Sequence, residues 1–163
     1  MIMNKFIGFV CIALLFFSCS KSGNTSTAGA PFFPLVPVNI TIQLNGPQYG
    51  ALALQQGWVY EPGGYRDIII YHTINDVYVA FDRTCPVNPM DSCAFVSMDS
   101  SGFYFSCSKK HIIGPICNKS NAGICSSTFM PDTGFPRSGI ANVPLKQYTV
   151  KLDAMGNYLY ITN

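Results

Sequence analysis

Charge is what this sequence has least of. Its 163 residues include ten Lys or Arg and eight Asp or Glu, for a formal net charge of +2. A chain with no basic cluster has nothing to track a phosphate backbone, and its single basic pair, Lys109-Lys110, reads as a solvated loop. Nucleic-acid binding is excluded on that ground. The acids are few and scattered, no glycine-rich phosphate loop follows a strand pattern, and no spacing groups a Ser with a His and an acid. Hydrolase and kinase chemistry therefore has no machinery here, and the chain is read as non-catalytic. Histidine is also scarce: there are two, and His72, closing the run Ile68-Ile69-Ile70-Tyr71, is expected to be a surface polar residue at a strand end. No apolar run reaches the roughly 20 residues that a membrane-spanning helix needs. Beyond the first eighteen residues, no segment carries a helical apolar stripe of three turns.

The longest apolar run is residues 6–17, preceded by Lys5 and no acid, and followed by Ser18-Cys19-Ser20-Lys21. It is too short to span and has no stop-transfer pattern, so it reads as an export signal. A small residue before a cysteine at the end of such a run resembles a lipobox, with Phe16 where that pattern usually has Leu. The expectation is cleavage before Cys19, a covalent lipid on that cysteine, and a chain partnered with a membrane through it. Ser20 stands where an inner-membrane retention signal would have Asp, and no acidic run associated with surface display follows. Both favour the periplasmic leaflet of the outer membrane.

Residues 1–18 are thus the signal peptide and 19–37 the lipidated cysteine with a tether of Ser, Gly, Thr, Ala and Pro, a composition that buries too little to order itself. One domain is expected over 38–163. It opens on strict alternation, with Val38, Ile40, Ile42 and Leu44 against Asn39, Thr41 and Gln43. Stretches of similar character recur at 58–60, 67–72, 76–81, 94–98, 103–106, 147–152 and 158–162. Gly63-Gly64, Asn75-Asp76, Ser101-Gly102 and Gly156-Asn157 supply turn chemistry between them. The fold class is all-β, with about eight short strands in an antiparallel sandwich or barrel. The interval 107–143 is rich in Gly, Pro and Ser with little periodicity, which marks it as functional or covalently stapled.

Of seven cysteines, Cys11 leaves with the signal and Cys19 takes lipid, so five remain: Cys85, Cys93, Cys107, Cys117 and Cys125. In an exported chain this cluster is either a disulfide framework or a metal site.

The segment 76–86 (DVYVAFDRTCP), the run FYFSC ending at Cys107, then Cys125-Ser126-Ser127-Thr128-Phe129, Gly134, and Val143-Pro144-Leu145-Lys146-Gln147-Tyr148 together resemble a Rieske-type iron-sulfur domain. The chain is more closely similar to Rieske-like lipoproteins of the Bacteroidetes type, whose mature chains open on a segment like Pro34-Leu35-Val36-Pro37-Val38-Asn39. The similarity covers essentially the whole mature chain and implies a Rieske-like antiparallel β-sandwich or barrel with a cysteine-rich loop pair. In such domains a CxH loop and a CxxH loop bind a two-iron two-sulfur cluster through two thiolates and two imidazoles, which raises its potential.

Here the first loop reads Cys85-Pro86-Val87, with valine in place of the histidine. After Cys107 the next histidine is His111, one residue too far for CxxH. Either His111 is a displaced ligand, or residues 108–124 are an insertion and Cys125 takes the second ligand position; the downstream register favours Cys125. The resemblance then implies Cys85, Cys93, Cys107 and Cys125 as the candidate set, with His111 and Cys117 weaker. Four thiolates could hold a two-iron cluster or a tetrahedral zinc, and the same four could close two disulfides. The expected function is a membrane-anchored Rieske-like domain with a remodelled site, structural or binding in role. The rivals are an electron carrier using the cysteines, and a surface module binding a partner protein or glycan through the 107–143 loops.

Overall fold

The computed structural model describes residues 33–87, 89–90, 94–107 and 126–163. Among them are ten strands: β1 (Asn39–Gln43), β2 (Trp58–Glu61), β3 (Ile68–His72), β4 (Tyr78–Asp82), β5 (Val96–Met98), β6 (Phe105–Cys107), β7 (Thr128–Phe129), β8 (Pro136–Ser138), β9 (Gln147–Leu152) and β10 (Tyr158–Thr162). A short 3-10 helix, Pro47–Ala53, follows β1. The strands form two antiparallel sheets, a large one in the order β1-β10-β9-β4-β3-β2 and a small one in the order β5-β6-β7-β8. The all-β expectation holds. No helix among the described residues is long and apolar enough to cross a membrane.

Burial follows the pleat. In β1, β9 and β10 exposed and inward residues alternate, so one face of this part of the sheet meets solvent. In β3 all five residues are buried, because that strand is covered on both sides. Ile68 and Ile70 join Ile42, Ala80, Tyr148, Leu159 and Ile161 in one core, plugged by Tyr49 and Leu52 of the 3-10 helix. Ile69 and Tyr71 join Val79 and Phe81 on the opposite face, against Val96, Phe105, Phe129 and Leu145. Each fully buried aromatic or branched side chain is worth about 1.5–3 kcal/mol relative to exposure. The two cores share one sheet between them, and the small sheet is held by the second.

Three features depart from the sequence reading. Within 107–143, β7 and β8 pair with β6 and with each other. The 3-10 helix was not anticipated, since Tyr49 and Leu52 are its only buried residues. His72 is buried, not a surface residue: its ring stacks on Tyr78 at 4.3 Å, and Nδ1 lies 3.2 Å from the carbonyl of Leu54. At the start of the domain, the amide of Val38 donates to Asn163 Oδ1 at 2.5 Å and Asn163 Nδ2 donates to the carbonyl of Val36 at 3.0 Å.

Candidate functional site: the cysteine loop pair

The loop after β4 and the end of β6 are brought together by main-chain bonds. Thr84 bridges Phe95, the amide of Cys85 donates to the carbonyl of Ala94 at 2.9 Å, and Val96 lies opposite Cys107 in the β5-β6 ladder. The amide of Cys107 donates to the carbonyl of Ser127, also at 2.9 Å. This register sets the two Cα atoms 5.8 Å apart, and Cys85 and Cys107 are joined as a disulfide. That separation lies inside the usual range for bonded cysteines. Both are sealed: Cys85 is 0% and Cys107 1% exposed, within the core made by Phe81, Phe105 and Phe129. Val87 packs against the same core, so the position where the resemblance requires an imidazole holds an apolar side chain instead.

These residues do not fit a two-iron cluster in their present state. A thiolate ligand must be reduced, and the two sulfurs at the loop positions are bonded to each other. Among the described residues, no group of three or more His, Cys, Asp or Glu is placed to hold a metal ion. His72, 13 residues before Cys85, is tied to Leu54, with its Nε2 3.5 Å from Asp76. Cys93, Cys117, Cys125 and His111, together with Cys19, lie outside the described residues.

Around the cysteine pair stand three polar anchors that the sequence reading missed. Asp82, fully buried at the end of β4, accepts from the amide of Tyr65 at 2.7 Å, the hydroxyl of Tyr148 at 2.7 Å, the amide of Thr84 at 2.9 Å and the hydroxyl of Thr84. Its carboxylate is thereby satisfied, which a buried charge requires. Burial first, and the Asp82 carboxylate beside it second, push the Tyr148 hydroxyl far above the ordinary tyrosine value. The Lys146 ammonium sits 5.1 Å from the Tyr148 ring centre, buried and with no hydrogen-bond partner among the described residues. Gly64 closes over this knot in a left-handed conformation, φ +63°, and a Cβ there would meet Asp82 Oδ2 at 2.5 Å as well as the Tyr148 hydroxyl. Only glycine adopts that geometry without strain.

The second anchor is Arg83, whose guanidinium lies 3.8 Å over Tyr60 and 5.1 Å from the Phe95 ring, while Nε donates to the carbonyl of Val96 at 2.9 Å. It pins β2 to β5 beside the cysteine loop. The third is Ser127, also fully buried. Its hydroxyl accepts from the amides of Ile140 and Ala141 at 3.1 and 2.9 Å and fixes the chain after β8 against the strand that carries Cys107. The sequence signal for Asp82 was an acid placed directly after the apolar Val79-Ala80-Phe81. For Arg83 and Ser127 no local signal existed.

No protein-family model matches the chain, and no curated protein matches it significantly in sequence. Among solved structures it is similar to the ferredoxin of carbazole 1,9a-dioxygenase from Nocardioides aromaticivorans IC177, at 14% identity over 78% of this chain and 97% of that one, TM-score 0.44. It is also similar to a protein assigned as the small subunit of an NADH-dependent nitrite reductase from Mycobacterium tuberculosis, at 14% identity over 79% and 97%, TM-score 0.40. At those TM-scores the likenesses bear on no residue, and the architecture stands on its own strand order: an all-β domain of two antiparallel sheets with a disulfide-joined loop pair.

Proposed function

We propose that this chain is an exported lipoprotein, cleaved before Cys19 and anchored by lipid on it, whose Rieske-like domain has exchanged its cluster for a covalent bond between the two loops. Its role is structural or binding, on the periplasmic leaflet of the outer membrane, rather than standard Rieske electron transfer. The observation that carries this reading is the buried Cys85–Cys107 disulfide. It occupies both thiol positions of the loop pair, and Val87 packs as core where a ligand would stand. The export signal is consistent with the chemistry, because an oxidising compartment is where such a bond persists.

The test is iron and acid-labile sulfide per chain in protein purified without oxygen, together with thiol titration in denaturant and mass mapping of the peptides holding Cys85 and Cys107. The expected result is iron and sulfide near zero and a Cys85–Cys107 linked peptide. Near two iron and two sulfide per chain, with those cysteines unlinked, would make the protein an electron carrier and end this reading. Labelling with radioactive palmitate, lost in Cys19→Ala, checks the anchor separately.

A further inference from the structure

Among the described residues, nothing packs over the large sheet where β9, β10 and β1 face outward. The small sheet covers the outer side of β3 and β4, but the outward residues of the other three strands are exposed, apart from the half-buried Thr162. Register sets them in rows: Thr41 lies opposite Tyr160, which lies opposite Lys151, and Gln43 lies opposite Tyr158 in the next row. The two tyrosines sit two residues apart in one strand, roughly 7 Å along it. Tyr158 is 38% and Tyr160 42% exposed. Among the described residues neither ring stacks on another and neither hydroxyl has a partner.

Beside this face the β4-β9 ladder stops after two pairs, Ala80 with Tyr148 and Phe81 with Gln147. Beyond them the strands border a cleft of ≈ 420 Å³ lined by the polar Gln147 and Thr149 and otherwise by valine and tyrosine residues of 77–79 and of β9. That volume lies within the roughly 300–1,000 Å³ of small-molecule sites. Thr149 is also an outward residue of the bare face, next to Lys151 in β9. Platform and cleft are therefore continuous.

The chemistry of the face selects its occupant. Lys151 is the one cation on these three strands, and Asp153 just beyond β9 is engaged by the amides of Asn157 and Tyr158 at 2.6 and 2.8 Å. A polyanion would find a single charge to pair with. An apolar partner would strip water from the amide and hydroxyl groups of Thr41, Gln43 and Thr149 and return no hydrogen bonds, a costly exchange. A sugar chain matches both features, since its C–H faces lie on tyrosine rings while its hydroxyls take and give hydrogen bonds to neutral side chains. The face is a sheet surface, so it fits an extended chain rather than a single end group.

We infer that the outer face of β9, β10 and β1, with the adjoining cleft, binds a neutral polysaccharide chain. The inference uses none of the cysteines and does not depend on whether the loop pair holds a cluster. Affinity electrophoresis of the full-length protein in detergent, through gels containing soluble β-glucan, xylan or mannan, with heparin in a parallel gel, tests it. The expected result is retardation by at least one neutral polysaccharide and not by heparin. Tyr158→Ala and Tyr160→Ala should each weaken it by about tenfold or more, with melting temperature unchanged, while Tyr160→Phe retains it. Should the alanine variants fail to fold, Thr41→Glu, which puts a charge in the middle of the face, must abolish retardation. The inference is overturned by free migration in all three neutral gels, by retardation that these variants leave intact, or by heparin retarding as strongly.

Discussion

Tyr148 on β9 donates its hydroxyl to the buried carboxylate of Asp82 across 2.7 Å, three residues before Cys85. Asp82 in turn holds the amides of Tyr65 and Thr84, so a single carboxylate fixes the β2-β3 connection, the approach to the cysteine loop and β9. Removing the hydroxyl with Tyr148→Phe leaves the oxygen Oδ2 with only the Tyr65 amide. The expected loss is about 1–3 kcal/mol, read from urea unfolding by the shift in midpoint at constant slope.

The same pair sets a response to alkali. Burial, with Asp82 beside it, raises the Tyr148 hydroxyl, and burial also raises Tyr49, Tyr71 and Tyr78. A raised folded-state value means the unfolded chain gives up its protons first. Stability is therefore fully present below the unfolded tyrosine value of about 10 and falls as pH rises beyond it. Urea midpoints measured between about pH 9 and 11 should decline, and Tyr148→Phe should decline less steeply. A flat profile in the parent would refute this account.

The Cys85–Cys107 bond closes a loop with a sequence separation of 22. Chain entropy assigns such a cross-link about 3 kcal/mol. The paired replacement Cys85→Ala with Cys107→Ala should lose about that much, and reductant should cleave the bond in the parent only once denaturant exposes it. Alkylation mass spectrometry with and without denaturant distinguishes the two cases.

Two glycines separate conformational strain from steric conflict. Gly102, φ +75°, has open space around a would-be Cβ, whereas Gly64, φ +63°, has Asp82 and Tyr148 there. Gly102→Ala should cost about 1–2 kcal/mol, for the backbone alone. Gly64→Ala should cost clearly more and should lower near-ultraviolet tyrosine dichroism, because the Asp82 knot has to open.

Sequence pattern was most legible where one face of the sheet meets solvent. The alternation over 147–152 and 158–162 matches β9 and β10 at both ends. β7 and β8 were illegible because two- and three-residue strands are too short to show a period. They exist through pairing: Phe129 lies opposite Phe105 on one side and Pro136 on the other. At the site, valine at position 87 was plain in the sequence. The Cys85–Cys107 pairing was not, because it depends on the β5-β6 hairpin setting Cys107 opposite Val96, and spacing alone could not choose between thiolates and disulfides. His72 was misjudged since its burial comes from Tyr78, across a hairpin. Asp82 needed Tyr65 and Tyr148, 17 and 66 residues away, before its role could be seen.

β1 pairs along its length with β10, and Val38 is tied to Asn163 across 125 residues. A chain that emerges from its N-terminus must hold β1 unpartnered on that side until its final residues arrive. By contrast, the β5-β6 hairpin and its cysteine bond can form from neighbouring segments as soon as Cys107 appears. Closure of the β1-β10 seam, a contact of very long sequence separation, therefore carries a large loop-closure cost that is met only at the end of the chain. Until it closes, the apolar row Ile40 and Ile42 is open to capture by other chains, so loss of the last few residues should lead to aggregation rather than to a frayed but folded domain.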